Sequence, residues 1–169
     1  PKQKLEKCTW QATLELERNK MTSLLIINGP NINMLGKRDP SQYGELTLGD
    51  LETLICNHAK QLNITSRCFQ SNHEGSLIEF LQQHSEEASG IILNPAGLTL
   101  NGYGLLDACI DSKLPMVEVH LSNIGRREEW RKASLFTKIS CAYIAGLQHM
   151  GYIYALEYLV ELIKQSNEQ

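Results

Sequence analysis

The sequence has no apolar run long enough to cross a membrane. A transmembrane helix needs about 18 or more consecutive apolar residues, and no stretch of the chain approaches that length. The first residues also lack the apolar core of a secretory signal. We therefore predict a cytoplasmic protein with no membrane partner.

The chain also has little excess charge and few cysteines. Its 16 basic and 19 acidic residues leave a formal net charge of −3 at pH 7, which predicts no nucleic-acid partner. No two cysteines have the spacing of a metal site or a redox motif. We interpret all five as reduced and structural, and predict no metal site: Cys8, Cys56, Cys68, Cys109 and Cys141.

A length of 169 residues, 42% of them hydrophobic, provides for one buried core and not for a second full domain. Residues 1–20 are charged and aperiodic, whereas an apolar run begins soon after Met21. We expect residues 1–20 to be an extension before the domain, ordered or disordered, native or not. Residues 21–169 are expected to form one catalytic domain.

From Met21 onward, short apolar runs alternate with amphipathic stretches. The runs predict five strands, at about 23–28, 64–70, 90–94, 115–120 and 139–146. The stretches between and after them predict helices at about 47–63, from 71, at 103–112 and at 150–164. Thr47 with Asp50, and Ser71 with Glu74, have the spacing of a capping box at a helix start.

The strands are continuously apolar, which indicates burial on both faces of a parallel sheet connected through helices. This pattern predicts an α/β fold, a flavodoxin-like three-layer sandwich with five parallel strands in the order 2-1-3-4-5. Ligands of such sheets bind beyond the carboxyl ends of the strands. We therefore look for chemistry in the residues that follow each strand.

Polar side chains follow three of the predicted strands. Those with candidate roles are Asn28, Asn31, Arg38, Tyr43, Asn94, Glu118, His120, Arg126, Arg127 and Arg131. Each has a purely structural interpretation when taken alone. The asparagines are good turn formers, the tyrosine fits a half-buried position, and the arginines fit a solvated helix face.

His120 and Glu118 stand two residues apart at the end of the fourth strand, so their side chains project to the same face. A carboxylate there fixes the tautomer of the imidazole and favours its charged form, as a general acid requires. The alternative is a salt-bridged core pair without chemistry. We favour the catalytic interpretation.

The same residues suggest a reaction. Tyr43 would act as a base if Arg38 favours its phenolate form. Asparagine donors would hold a developing enolate oxygen, and His120 would protonate a leaving hydroxyl. Together they predict the elimination of water next to a carbonyl group.

Two other functions of this fold fit less well. A phosphoacceptor receiver domain needs acidic residues after the first strand and an aspartate at the end of the third, where this chain has Gly-Pro-Asn at 29–31 and Asn94. A flavin or phosphate site favours a Gly/Ser/Thr-rich loop at a helix start, which residues 31–35 do not supply. We predict a small-molecule substrate and no cofactor.

Three segments together resemble the type II 3-dehydroquinate dehydratases of the shikimate and quinate pathways, over about residues 24–163. They are INGPNINMLGKRDPSQYG, QSNHEG and VEVHLSN. The resemblance implies that the chain eliminates water from 3-dehydroquinate to give 3-dehydroshikimate, a step toward the aromatic amino acids. It also implies a homo-oligomer, a dodecamer built from trimers.

The resemblance further implies a role for individual residues. Tyr43 would remove the proton next to the ketone, aided by Arg38, and Asn31 would stabilise the enolate through a bound water. His120, oriented by Glu118, would protonate the departing hydroxyl. The residues expected to bind or support the substrate are Asn94, Gly97, Leu121, Ser122, Arg127, Arg131 and, near a neighbouring subunit's site, Asp107.

The chain departs from the family pattern after the third strand. A histidine that usually contacts the substrate is replaced by Leu100, and an arginine is replaced by Leu106 next to the retained Asp107. Losing a polar contact weakens binding by about 1–3 kcal/mol or shifts specificity. Two alternatives therefore stay open: elimination from a related polyol keto acid, and a non-catalytic protein that binds a ligand.

Overall fold

Five short apolar segments form the sheet that the sequence pattern predicts. The computed structural model describes residues 21–168. Its strands are β1 (Ser23–Asn28), β2 (Thr65–Gln70), β3 (Gly90–Asn94), β4 (Met116–His120) and β5 (Ala142–Ala145). Every pairing is parallel and the order is β2-β1-β3-β4-β5. The predicted flavodoxin-like fold and its strand order are confirmed.

Helices cover both faces of the sheet. They are α1 (Pro40–Tyr43), α2 (Leu48–Gln61), α3 (Glu74–His84), α4 (Tyr103–Ser112) and α5 (Met150–Asn167). Because side chains alternate along a strand, β1 contributes to two cores. Leu24 and Ile26 pack with α2 and α5, whereas Leu25 and Ile27 pack with α3 and α4. This is the three-layer arrangement that the apolar runs indicate.

One of the two predicted capping boxes is present. At the start of α2, the Thr47 hydroxyl accepts from the Asp50 amide at 3.2 Å and the Asp50 carboxylate accepts from the Thr47 amide at 3.0 Å. The prediction for Ser71 and Glu74 is wrong, because α3 begins at Glu74 itself and has no side-chain cap. The Glu74 carboxylate instead accepts from the Leu105 amide at 2.9 Å, which satisfies a free N–H in the first turn of α4.

The predicted bounds of the elements differ from the observed ones by a few residues. Differences of three residues occur at the start of β5, which covers Ala142–Ala145 instead of residues 139–146, and at the end of α5. No helix of the described residues has the length and apolarity needed to span a membrane.

The carboxyl ends of β1 and β3 are joined by a close backbone contact. The Gly29 amide donates to the Asn94 carbonyl at 2.8 Å. A Cβ atom at residue 29 would lie 2.3 Å from the Pro95 carbonyl oxygen, so only glycine allows this approach. The loops that follow the two strands consequently meet at one edge of the sheet.

Candidate active site

A cavity of about 360 Å³ lies at this edge, a volume that suits a small molecule. Its wall is formed by the loops after β1, β3 and β4. It contains most of the residues that the sequence predicts for the site: Asn31, Arg38, Tyr43, Asn94, Gly97, His120, Leu121, Ser122 and Arg127. Loops far apart in the sequence thus present acid–base groups to one space.

Two arginines from different loops converge on the hydroxyl of Tyr43. Nη2 of Arg38 and Nη1 of Arg127 each donate to the phenol oxygen at 2.7 Å. The Arg38 guanidinium carbon also lies 3.7 Å from the centroid of the Tyr43 ring. Two positively charged groups thus lie beside one phenol oxygen. Sequence reasoning identified Arg38 as this partner and gave Arg127 only a supporting role.

A second tyrosine near the site has the opposite surroundings. The ring centroid of Tyr143 lies 5.5 Å from that of His120. Burial, and after it the negative charge of Glu118, raises the pKa of Tyr143 to about 12. This phenol is therefore neutral at physiological pH.

His120 is held by the fully buried carboxylate of Glu118. Nε2 of His120 lies 2.7 Å from Oε1 of Glu118. A carboxylate that occupies one ring nitrogen fixes the tautomer and leaves the other nitrogen for a ligand. Because His120 also lines the cavity, the ring can transfer a proton to a molecule bound there.

Both carboxylate oxygens of Glu118 accept further hydrogen bonds. The Ser134 hydroxyl donates to Oε1 and the Thr137 hydroxyl donates to Oε2, each at 2.6 Å. Burial acts to raise the pKa of Glu118, but hydrogen bonds from His120, Ser134 and Thr137, with the charge of His120, outweigh it and hold that pKa below its ordinary value. The carboxylate is thus ionised beside His120.

Replacing Thr137 with valine should raise the pKa of Glu118, since a hydrogen bond that lowers it is lost. The stabilisation from a lowered carboxyl pKa is present above the unfolded value, here near 4.5, and is lost as the pH falls through the folded value. We expect Thr137→Val to lower the free energy of unfolding by about 1.5–3 kcal/mol at pH 7. Urea unfolding at neutral and acidic pH measures the free energy of unfolding of both proteins. The difference between Thr137→Val and the unmodified protein should be smaller at acidic pH.

Thr137→Ser is the matched control, because it keeps the hydroxyl. Its stability should follow that of the unmodified protein at both pH values. A loss for Thr137→Val that is equal at both pH values would mean that the hydroxyl acts through packing and not through the charge of Glu118.

Asn94 reaches the cavity from a buried polar network. Nδ2 of Asn94 donates to the hydroxyl of Tyr152 at 2.9 Å, and that hydroxyl donates to Oδ1 of Asn28 at 2.6 Å. Tyr152 and Asn28 are fully buried, and Asn94 is 2% exposed. Asn28 is therefore more than the turn former that its position beside Gly29 allows.

Asn31 does have turn geometry. Its φ of 68° is in the left-handed region, which asparagine tolerates better than most residues. Its amide donates to Oδ1 of Asn72, which follows β2, at 2.9 Å. Asn31 also lines the cavity.

Two predicted residues, Glu118 and Asp107, do not line the cavity, and Glu118 contacts it only through His120. Asp107 is exposed on α4 and does not line it. The Arg131 side chain is outside the described part of the chain, so its contact stays a prediction. Leu100, which departs from the family pattern, does line the cavity.

Sequence reasoning missed Tyr152, Ser134 and Thr137. Tyr152 falls within the amphipathic pattern of α5, where a tyrosine is typical of packing. Ser134 and Thr137 stand in a segment without any regular pattern. A buried carboxylate needs hydrogen-bond donors, and this need is the one signal in the sequence that could have suggested hydroxyl partners for Glu118.

The fold and the site together define an α/β enzyme with groups suited to acid–base chemistry. No three histidine, cysteine, aspartate or glutamate side chains within residues 21–168 are grouped so as to hold a metal ion.

Comparison with known proteins identifies the family. The model of dehydroquinase class II matches residues 22–160. The 3-dehydroquinate dehydratase of Roseiflexus castenholzii is 45% identical over 137 residues, which cover 81% of this chain and 87% of that one. The 3-dehydroquinate dehydratase of Bacillus subtilis is 45% identical over 140 residues, covering 83% and 95%. The chain belongs to the dehydroquinase class II family, and with it to the hydro-lyases.

Solved structures agree with this assignment. The type II dehydroquinase of Butyrivibrio crossotus has a TM-score of 0.79 at 37% identity, covering 82% of this chain and 97% of that one. A 3-dehydroquinate dehydratase-like protein of Bifidobacterium longum has a TM-score of 0.62 at 26% identity, covering 85% and 99%. The resemblance noted in the sequence is thereby confirmed.

Proposed function

We propose that this chain eliminates water from 3-dehydroquinate to give 3-dehydroshikimate, with Tyr43 as the base and His120 as the acid. The observation that carries the proposal is the pair of guanidinium groups 2.7 Å from the Tyr43 hydroxyl oxygen, in the same cavity as a histidine backed by an ionised carboxylate.

In the first step, the Tyr43 phenolate takes a proton from the carbon next to the ketone. The C–H electron pair forms a double bond to the ketone carbon, and the ketone oxygen becomes an enolate oxygen. Arg38 and Arg127 make this step feasible because they stabilise the phenolate before the proton arrives. Asn31 lies on the cavity wall and would stabilise the enolate through a bound water.

In the second step, the enolate re-forms the ketone and its electrons form the carbon–carbon double bond. The C–O bond to the neighbouring hydroxyl breaks, and His120 gives that oxygen a proton so that it leaves as water. Glu118 stabilises the charged imidazole that must carry this proton. Water and the enone acid are the only products, so no redox partner is required.

The substrate carboxylate would bind at the edge of the cavity formed by Asn94, Leu121 and Ser122, with Gly97 on the same wall. All but Gly97 are buried residues at strand ends, so their backbone positions are set by the sheet. We further propose that Arg131 contacts the ring hydroxyls.

The test is direct, because the conjugated enone acid absorbs in the ultraviolet and 3-dehydroquinate does not absorb there. Purified protein mixed with 3-dehydroquinate should produce a rise in absorbance. A correctly folded protein that produces no rise would contradict the proposal.

A second function is favoured by one observation, the leucine at position 100 on the cavity wall. An apolar side chain there offers no hydrogen bond to a ring hydroxyl, so the site would suit a related polyol keto acid with fewer hydroxyls on that side. A panel of polyol keto acids distinguishes this altered substrate from 3-dehydroquinate.

A third possibility is a non-catalytic protein that binds 3-dehydroquinate. It predicts tight binding of 3-dehydroquinate without formation of product.

Leu100→His should restore a polar contact to the substrate. A neutral hydrogen bond contributes about 0.5–1.5 kcal/mol, so we expect KM for 3-dehydroquinate to fall by roughly 2- to 10-fold with little change in kcat. Steady-state kinetics measure both constants. Leu147→His is the control for introducing a histidine, since Leu147 is 48% exposed and does not line the cavity. A rise in KM for Leu100→His would favour the altered substrate.

Assembly and location also belong to this proposal. We propose that the chain assembles in the cytoplasm as a dodecamer made from four trimers. Tyr103 and Ile110 of α4 are 62% and 50% exposed on the helix that carries Asp107. Burying such apolar side chains against a neighbouring subunit would favour association.

A further inference from the structure

The hydroxyl of Tyr152 is an unusual feature of the core. The residue is among the largest fully buried side chains of the described structure. Its ring packs in the core, whereas its hydroxyl is hydrogen-bonded to two asparagines. Burial raises the pKa of Tyr152 well above its ordinary value, so the hydroxyl keeps its hydrogen. It is therefore a permanent neutral donor and acceptor below the cavity floor.

That single hydrogen decides the direction of the network. The hydroxyl donates to Oδ1 of Asn28, so toward Asn94 it can only accept. A side-chain amide whose nitrogen donates to such an acceptor cannot rotate by 180° without losing that hydrogen bond. The Asn94 amide thus has one defined orientation, and its oxygen and second N–H hydrogen remain for a ligand.

Stability alone does not account for this arrangement. Nδ2 of Asn28 is buried and has no hydrogen-bond partner among the described residues. An unpartnered buried donor is unfavourable, and an apolar core of the same shape would avoid it. A polar network that carries such a cost, and that ends on a cavity residue, indicates a role in the site.

We propose that Tyr152 is a positioning residue for the substrate: its buried hydroxyl holds the Asn94 amide in the orientation that binds the substrate in the cavity. This inference rests on the proposed function, in which Asn94 contacts the substrate. Tyr152 itself does not line the cavity and acts only through Asn94. Its loss should impair binding more than chemistry.

Tyr152→Phe removes the hydroxyl and keeps the ring. We expect KM for 3-dehydroquinate to rise by about 5- to 10-fold while kcat stays within about twofold, the signature of lost substrate binding. Tyr158→Phe is the matched control, since Tyr158 is on the same helix with its hydroxyl at the surface. Thermal unfolding of each variant ensures that kinetics are measured on folded protein.

A double-mutant cycle tests whether Tyr152 acts through Asn94. If it does, Asn94→Ala/Tyr152→Phe should have the KM of Asn94→Ala alone, because the amide that Tyr152 positions is already absent. Multiplying effects in the double variant, or a fall in kcat at unchanged KM for Tyr152→Phe, would overturn the inference.

Asn28→Ala gives a second approach if Tyr152→Phe does not fold. It frees the hydroxyl hydrogen to turn toward the Asn94 oxygen, so KM should again rise and should again depend on Asn94. If the unmodified protein does not turn over 3-dehydroquinate, the proposed function fails, and the dissociation constant of 3-dehydroquinate measured by calorimetry then tests Tyr152 by itself. An unmodified protein that neither converts nor binds it contradicts both.

Discussion

Tyr43→Phe should lower kcat for 3-dehydroquinate by about a hundred- to ten-thousand-fold, the range that a positioned base contributes. The substitution keeps the ring under the Arg38 guanidinium and removes only the oxygen that both arginines contact. Substrate binding should change little. The ultraviolet assay measures the rate, and Tyr154→Phe, on the exposed surface of α5, serves as a control for tyrosine replacement.

The variant should also stop the exchange of substrate hydrogen with solvent. If Tyr43 is the base, 3-dehydroquinate incubated with Tyr43→Phe in deuterium oxide should gain no deuterium next to the ketone beyond the rate without enzyme. Activity within about threefold of the unmodified protein would mean that another group removes the proton.

His120→Ala should produce a similarly large loss, about a hundred- to ten-thousand-fold in kcat, for a different reason. The base remains in place, so the enolate still forms, but the departing hydroxyl receives no proton. Added imidazole should restore part of the rate, because the deletion leaves space for it in the cavity wall. The ultraviolet assay with and without imidazole measures the effect.

Deuterium exchange separates the two variants. His120→Ala should continue to exchange the hydrogen next to the ketone while it fails to eliminate water, whereas Tyr43→Phe should do neither. Loss of exchange in His120→Ala would show that His120 is needed before the enolate, and the assigned acid role would then be wrong.

Much of the sheet was predictable because its local pattern is unambiguous. The continuously apolar residues of β1 and β3 have few alternatives to a buried strand, and their predicted bounds agree with the structure. Glu118 and His120 could be paired from sequence because strand periodicity places residues two apart on one face. Their 2.7 Å contact agrees with that expectation.

The predictions that failed or fell short depend on contacts between distant segments. Glu74 has the spacing of a capping residue for its own helix, but its carboxylate accepts from the Leu105 amide at the start of α4, 31 residues later. The second arginine at Tyr43 comes from the loop after β4, and no local rule relates residues 43 and 127. Tyr152 joins Asn28 and Asn94 across a core that only the folded chain assembles.

The two arginines at Tyr43 belong to separate pieces of the fold. Arg38 comes five residues before the tyrosine in the segment after β1, whereas Arg127 is in the segment that follows β4. Any displacement of the first loop from the second would separate Arg127 from the Tyr43 hydroxyl while leaving Arg38 beside it. The hydrogen bonds of the Tyr43 hydroxyl therefore depend on the relative position of two loops and not on one loop alone.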